Sequence, residues 1–476
     1  MRVTALRWYA ARIILCLTLV LSAVLNSGCS LNFSANDMLA PPKLTEEQTA
    51  IYNALTESAG RVDLRYPKMG DYRSAFVIKN LDGEYSNEAI VFYETSLDID
   101  AGNTADSPIS KLRICFLDKD GEGNWRAVYE IPAEGTDVDS VSFSDLGSNR
   151  QRVIISFTIL NSSDKIVSVI DYENGVAKTL YKVSCSSFLI NEFTRKGKED
   201  LLCFGRDKET KTAVFSAFGC NSEGGFERLY NSVQLKNEID EFGKITIGEC
   251  MATNVKTNCI AIDFLKSENL HGTEMLYFTG NSIDTAETFV RDDGGQASYV
   301  RRTNAFTPVM SAGDVDDDGI IDVPVTKSMP GYENLTYPEQ VNAMLWYRQS
   351  SEKIEKSAYT FVDAKKNYIL FFPGRWEGMV TATVDMTKDS VTFWKTAEDI
   401  SKLDSPLLTV RVVLKSTDST GAKREDARKD GLTIYSEDDE KIVYIKNVAN
   451  DDMALTEDEL KAALKVRWIG YEEPYR

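Results

Sequence analysis

The chain has 476 residues, with 73 acidic against 54 basic side chains and a formal net charge of −19. So acidic a protein does not hold nucleic acid or an anionic lipid face through bulk charge. A single histidine, His271, excludes a His-rich zinc or non-haem iron site, and the length implies two or three domains with ample core.

Arg2, Arg7 and Arg12 precede an apolar run, Ile13 to Leu25, and then Asn26-Ser27-Gly28-Cys29. A basic n-region, a short apolar core and small residues before a cut describe a secretory signal, and the run falls short of the roughly 20 apolar residues of a membrane-spanning helix. The small residues before Cys29 resemble the bacterial lipoprotein lipobox, although Asn26 stands where that family prefers an aliphatic residue. The resemblance implies cleavage after residue 28, acylation of Cys29 (palmitate among the acyl groups) and attachment to the outer face of a cell membrane. Removing residues 1–28 takes away three arginines and no acids, so the charge moves from −19 to −22.

Residues 30–43 read as a tether, and Thr45-Glu46-Glu47-Gln48 is a capping-box pattern opening an amphipathic helix over 45–59 that Gly60 ends. Residues 29–60 therefore form a tether and helix.

From 61 to 362 short apolar strands alternate with polar turns, and a unit recurs: an apolar strand, a polar loop, a second apolar strand. The loops are Asn80 to Glu88, Asp145 to Arg152, Glu192 to Asp200, the turn carrying Asn254 and Asn258, and Asp314 to Asp322. Room for two more strands between copies gives four-stranded units, the blades of a β-propeller, about five in number. A β-sandwich is the competing architecture, but it does not require one loop to recur in every unit.

Asp314-Val315-Asp316-Asp317-Asp318-Gly319-Ile320-Ile321-Asp322 places carboxylates at positions 1, 3, 5 and 9 and a glycine at 6. Oxygen ligands on alternate residues of a tight loop converge on a hard cation, and the carbonyl of Ile320 at position 7 would join them. The expected ion is structural Ca2+, held by Asp314, Asp316, Asp318, Ile320 and Asp322, with an affinity on the order of 10⁻⁴–10⁻³ M or somewhat tighter. An EF-hand is excluded because Val325 takes the bidentate glutamate's place, and Thr307–Met310 and Val323–Thr326 read as strands. A D-x-D-x-D-G-x-x-D loop between strands resembles the FG-GAP/VCBS repeat of integrin-alpha-type β-propellers. In the same register Asn80, Asp82, Glu84 and Glu88 of the first loop keep ligand positions with Tyr85 in place of glycine, so that loop would bind a cation weakly. Lys196 would set an ammonium in the third.

Residues 363–476 read as an antiparallel α+β domain, with strands from Tyr368 to Val448 and a helix opened by Thr456. Gly421–Asp430 reads as a mobile hairpin tip. The opening strand with F-P-x-x-W-x-G, Phe372 to Gly378, is similar to PsbP-like domains.

Cys185 with Cys203, and Cys250 with Cys259, can face each other across hairpins, as disulfides or as buried thiols. His271, in the loop Glu268–Thr273, reads as a surface residue. There is no G-x-S-x-G elbow, P-loop or Rossmann fingerprint, and no motif selects a catalytic carboxylate pair. The expectation is a membrane-anchored extracellular lipoprotein, not an enzyme, acting as a binding or adhesion platform for a protein or glycan. A carbohydrate-active hydrolase and an envelope assembly lipoprotein are the alternatives.

Overall fold

Thr45 opens the first helix because its hydroxyl closes on the following turn. Oγ1 accepts from Gln48 N at 3.1 Å while Gln48 Oε1 accepts from Thr45 N at 3.1 Å. Helix α1 (Glu46–Ala59) follows, with Gly60 at a φ of +74° ending it, as the sequence predicts. The computed structural model describes residues 44–95, 111–207, 209–210, 212–221, 223–252, 254–267, 270–286, 299–302, 310–350, 353–397 and 399–466. The signal segment, the tether to residue 43, Cys29 and most of the strand expected over Thr307–Met310 lie outside those residues.

The first sheet holds β1 (Val62–Leu64), β2 (Phe76–Lys79), β3 (Glu88–Thr95), β4 (Leu112–Lys119) and β5 (Trp125–Pro132). The second runs in chain order through β6 (Asp137–Ser144), β7 (Arg152–Thr158), β8 (Lys165–Glu173) and β9 (Val176–Cys185). The third holds β10 (Ser187–Glu192), β11 (Glu199–Arg206), β12 (Ala213–Cys220), β13 (Phe226–Arg228) and β14 (Val233–Gln234). The fourth holds β15 (Glu241–Cys250), β16 (Thr257–Ser267), β17 (Leu270–Phe278), β18 (Ile283–Thr285) and β19 (Tyr299–Arg302). The fifth begins with β20 (Val323–Ser328), β21 (Asn342–Ser350), β22 (Lys353–Asp363) and β23 (Tyr368–Phe371). The sixth comprises β24 (Val380–Asp385), β25 (Ser390–Lys395), β26 (Pro406–Leu414), β27 (Thr433–Glu437) and β28 (Lys441–Asn447), with helix α2 (Ala422–Lys429) between β26 and β27. Helix α3 (Glu457–Ala463) then leads into β29 (Leu464–Lys465), which returns to the fifth sheet beside β23. The 362/363 division therefore falls inside the fifth sheet. The protein is mainly β, its paired strands among the described residues are antiparallel, and its units are compatible with propeller blades.

The two-residue period of each strand decides which neighbour it touches. Ile90 and Phe92 of β3 pack with Val153, Ile155 and Phe157 of the second sheet, while Ile154 turns the other way to Leu201 and Cys203 of the third. Leu202 and Phe204 meet Ile260 and Ile262 of the fourth, whose Cys259 and Ala261 face Val323 of the fifth. Leu345, Phe361 and Leu370 then pack on Phe393, Leu408 and Val410 of the sixth. Each sheet is thus buried on both faces by the sheets before and after it, and helices cover the two ends. Ile51 and Leu55 of α1 cover the outer face of the first sheet over Ala89, Val91 and Leu117, and Ala427 of α2 lies on Val413 and Tyr444 of the sixth. Among the described residues no apolar cluster joins the first sheet to the fifth or sixth.

Several local expectations need correction. Gly421–Asp430 is helix α2, not a hairpin tip, because the Asp418 carboxylate accepts from Lys423 N at 3.0 Å and Arg424 Nε at 2.8 Å and so ties down its first turn. The helix opened by Thr456 ends at Ala463, since Leu464 pairs with Leu370. His271 stands within β17, half-buried, not in a surface loop. All six described cysteines are buried free thiols, and hydrogen bonding couples Cys185 with Cys203 and Cys250 with Cys259.

Candidate metal centre

One register position recurs at the mouth of the hairpin that joins the first two strands in each of the first five units. Lys79 faces Glu88, Asn191 faces Asp200, Glu249 faces Asn258 and Gly313 faces Asp322, and the second loop, one residue shorter, sets Ser144 opposite Arg152. Each of these second residues is polar, and Glu88, Arg152, Asp200 and Asp322 are buried. A buried polar group must be partnered, and these are tied back to loop backbone or a neighbouring side chain. Glu88 Oε2 accepts from Leu81 N at 2.6 Å, Asp200 Oδ2 from Thr194 N at 2.8 Å and Asp322 Oδ2 from Val315 N at 3.2 Å. Asn258 Nδ2 donates to Phe193 O of the preceding unit at 2.8 Å, and Arg152 pairs with Asp171 at 2.9 Å.

The fifth loop gathers the most charge. Carboxylate oxygens of Asp314, Asp316 and Asp322 lie within 4.8 Å of one another. Calcium binds oxygen at 2.3–2.6 Å, so oxygens on opposite sides of one ion stand about 5 Å apart, and the cluster fits a hard cation. The turn itself is held by Asp314, whose two oxygens accept from Asp318 N at 3.0 Å and Gly319 N at 2.7 Å. Gly319 has a φ of +84°, which a side chain would disfavour. Asp317 points away to Lys465, at 2.9 Å.

A guanidinium lies against this cluster. Arg348 of β21 reaches Asp316 at 2.7 Å and Asp322 at 3.2 Å and also pairs with Asp318. It stands directly across the β20–β21 ladder from Asp322, one step beyond the Val323–Tyr347 pair. Four carboxylates outnumber Arg348 and Lys256, whose ammonium donates to Asp318 O at 3.0 Å, so the site stays negative. Burial pushes the Asp322 carboxyl up to about 6, against the opposing pull of the Ser357 hydroxyl and Arg348. Of the residues expected as ligands, Asp314, Asp316 and Asp322 are brought together. Asp318 is turned to Arg348, with its other oxygen accepting from Ile320 N at 2.8 Å. Ile320 is buried, in a bridge with Glu249 of β15.

The other loops separate along the same chemistry. In the third, Arg195 rather than Lys196 supplies the positive charge, reaching Asp200 at 2.6 Å, Cys220 O at 2.6 Å and Leu146 O at 3.3 Å. In the first, Asn80 Oδ1 accepts from Gly83 N at 2.7 Å and Asp82 Oδ1 from Glu84 N at 3.1 Å, so the expected ligands close their own turn. Burial pushes Glu88 up to about 7, opposed by the Leu81 hydrogen bond, and its Oε1 has no hydrogen-bond partner. Arg348 and Arg195 are the site residues that sequence spacing missed. Arg195 lay inside the loop and was legible as a cation, whereas Arg348 required the strand register.

No family model and no curated protein matches this chain. Solved structures do. An exotype rhamnogalacturonan lyase matches at 10% identity over 71% of this chain and 62% of its own length, with a TM-score of 0.26. The periplasmic gluconolactonase of Pseudomonas aeruginosa matches at 9% identity over 72% of this chain and 86% of its own, with a TM-score of 0.26. A rhamnogalacturonan lyase of Bacillus licheniformis matches at 11% identity over 72% and 77%, with a TM-score of 0.28. This chain thus spans less than two thirds of the first lyase. The expectation that the protein is not an enzyme is corrected by this finding, because enzymes stand among the chains it matches. At these TM-scores the likeness assigns it no reaction.

Proposed function

We propose that the protein is exported, anchored to the outer face of a cell membrane through acylated Cys29, and presents its stacked sheets as a platform for a protein or glycan ligand. The row of units is read as propeller-like blades, with the fifth loop a calcium site that clips β20 to the turn before it. The observation that carries the reading is the convergence of Asp314, Asp316 and Asp322 within 4.8 Å in the loop that places carboxylates at positions 1, 3, 5 and 9. When bound, a divalent ion supplies positive charge to a cluster that Arg348 alone does not neutralise. The chain's own residues then do the rest: Asp314 holds the turn and Asp322 ties the turn to β20, while Arg348, which joins the loop to β21 without the ion, gives up its carboxylates to it. An acidic exported surface suits calcium, which is plentiful outside cells at the weak affinities such loops have.

Two measurements test the reading. Calorimetric titration of calcium into the intact protein is expected to give one site that Asp316→Asn abolishes; the absence of any heat of binding contradicts the cation assignment. Cys29→Ala is expected to release the protein from membranes into the soluble fraction, and an unchanged membrane fraction contradicts the anchor.

A further inference from the structure

A cleft of about 630 Å³ opens where the first three sheets converge, away from the acidic loop's residues. Its walls come from the segment before β2, from the edge strands β6 and β10, and from Lys79 at the end of β2. Two of its charges neutralise each other: Lys165 Nζ stands 2.9 Å from Asp139 Oδ2, which also accepts from Ser156 Oγ at 2.9 Å. Lys79 is different. Its ammonium lies 4.6 Å from the centre of the Phe143 ring and donates to Tyr72 Oη at 3.2 Å. Among the described residues it has no carboxylate within ion-pair distance, although acids outnumber bases 73 to 54 in this chain. The Tyr72 and Phe143 rings meet edge to face at 4.9 Å and fix the ammonium between them.

The chemistry of that corner is specific. Because Tyr72 Oη accepts from Lys79, its own proton is left to donate, so an ammonium and a phenol present donors within 3.2 Å of each other. Two adjacent donors, one charged, suit the two oxygens of a carboxylate or sulfonate. Across the cleft Phe188 and Ile190 of β10 are half-buried and give an apolar wall for the body of the ligand. Exposed Asp71 and Glu199 at the lining disfavour a second negative charge. We propose that this cleft is a binding site for a monoanionic organic acid with an apolar ring, its acid group held by Lys79 and Tyr72. The site goes beyond the platform reading: it adds a small-molecule ligand class and depends neither on a protein or glycan partner nor on the calcium loop.

The test uses anilinonaphthalene sulfonate, a monoanion on a fused aromatic body, with neutral phenylnaphthylamine as the control. The intact protein is expected to bind the sulfonate saturably at one site, in calcium and in chelator alike, with benzoate displacing it. Lys79→Gln should weaken that binding at least tenfold and Tyr72→Phe several-fold, while neither changes the neutral dye. Unsaturable binding, or equal affinity of the wild type and both variants, overturns the site. A sulfonate site that survives in chelator while calcium titration shows nothing would remove the cation loop and leave the cleft standing.

Discussion

At Asp322 a buried carboxylate meets a guanidinium from the next strand, and the two decide what the fifth loop can hold. Arg348 already pairs with Asp316 and Asp322, two of the carboxylates an ion would need, so the two cations compete for one cluster of acids. Arg348→Gln should therefore tighten calcium binding several-fold while lowering the stability of the calcium-free protein by about 1.5–3 kcal/mol, the range for hydrogen bonds to charged groups. Calcium titration and urea unfolding in chelator check the two halves, and weaker calcium binding in the variant contradicts the competition. Glu88 carries the pH dependence. Its carboxyl is raised from 4.5 to about 7 by burial, so folding favours the protonated form. The stability it contributes is full below pH 4.5 and is lost as the pH rises through 7; Asp322 behaves alike between 3.8 and about 6. In chelator the wild type should lose stability between pH 5 and 8. Glu88→Gln should flatten the upper part of that fall, and identical profiles contradict the assignment. The acidic positions of these loops were plain in the sequence. Arg348 was not, because it faces Asp322 only through a pairing register that no local pattern fixes.

The elements were mostly legible, for a physical reason. Strands buried on both faces read as continuous apolar runs such as Ala89–Tyr93 and Val153–Ile155, and the turns between them carry Gly, Asn and Asp. Helix α2 escaped because Ala427 is its one buried residue, which gives no apolar stripe to find. The anchoring carboxylate, Asp418, lies outside the charged stretch it organises. Helix α1 announced itself through its capping box and the spacing of Ile51 and Leu55, both fully buried against the first sheet. It covers a face that would otherwise expose Ala89, Val91 and Leu117. Leu55→Ala should cost about 2–5 kcal/mol and Thr45→Ala about 1 kcal/mol in urea unfolding. A Leu55→Ala variant as stable as the wild type would show that the helix does not hold the end of the stack.

Across the whole molecule the recurring loop predicted a repeated unit, and the structure supplies its stacking: six sheets in sequence, each buried between neighbours, with a helix over either end. The sequence could show the repeat because one polar position returns in each unit. It could not show the covered ends, because whether a sheet's outer face meets another sheet or a helix is set by long-range packing. That packing also draws Lys79, Phe143 and Phe188 from three units into one cleft. The account rests on calcium in the fifth loop as the clip between the turn and β20. Thermal unfolding of the intact protein and of Asp316→Ala, each in calcium at a hundred times the wild-type dissociation constant and in excess chelator, tests that claim most directly. The wild type should melt higher in calcium, by the equivalent of about 2.7 kcal/mol at a hundred times the dissociation constant, and the variant should melt identically in both. A wild type that melts at one temperature with and without calcium would contradict it.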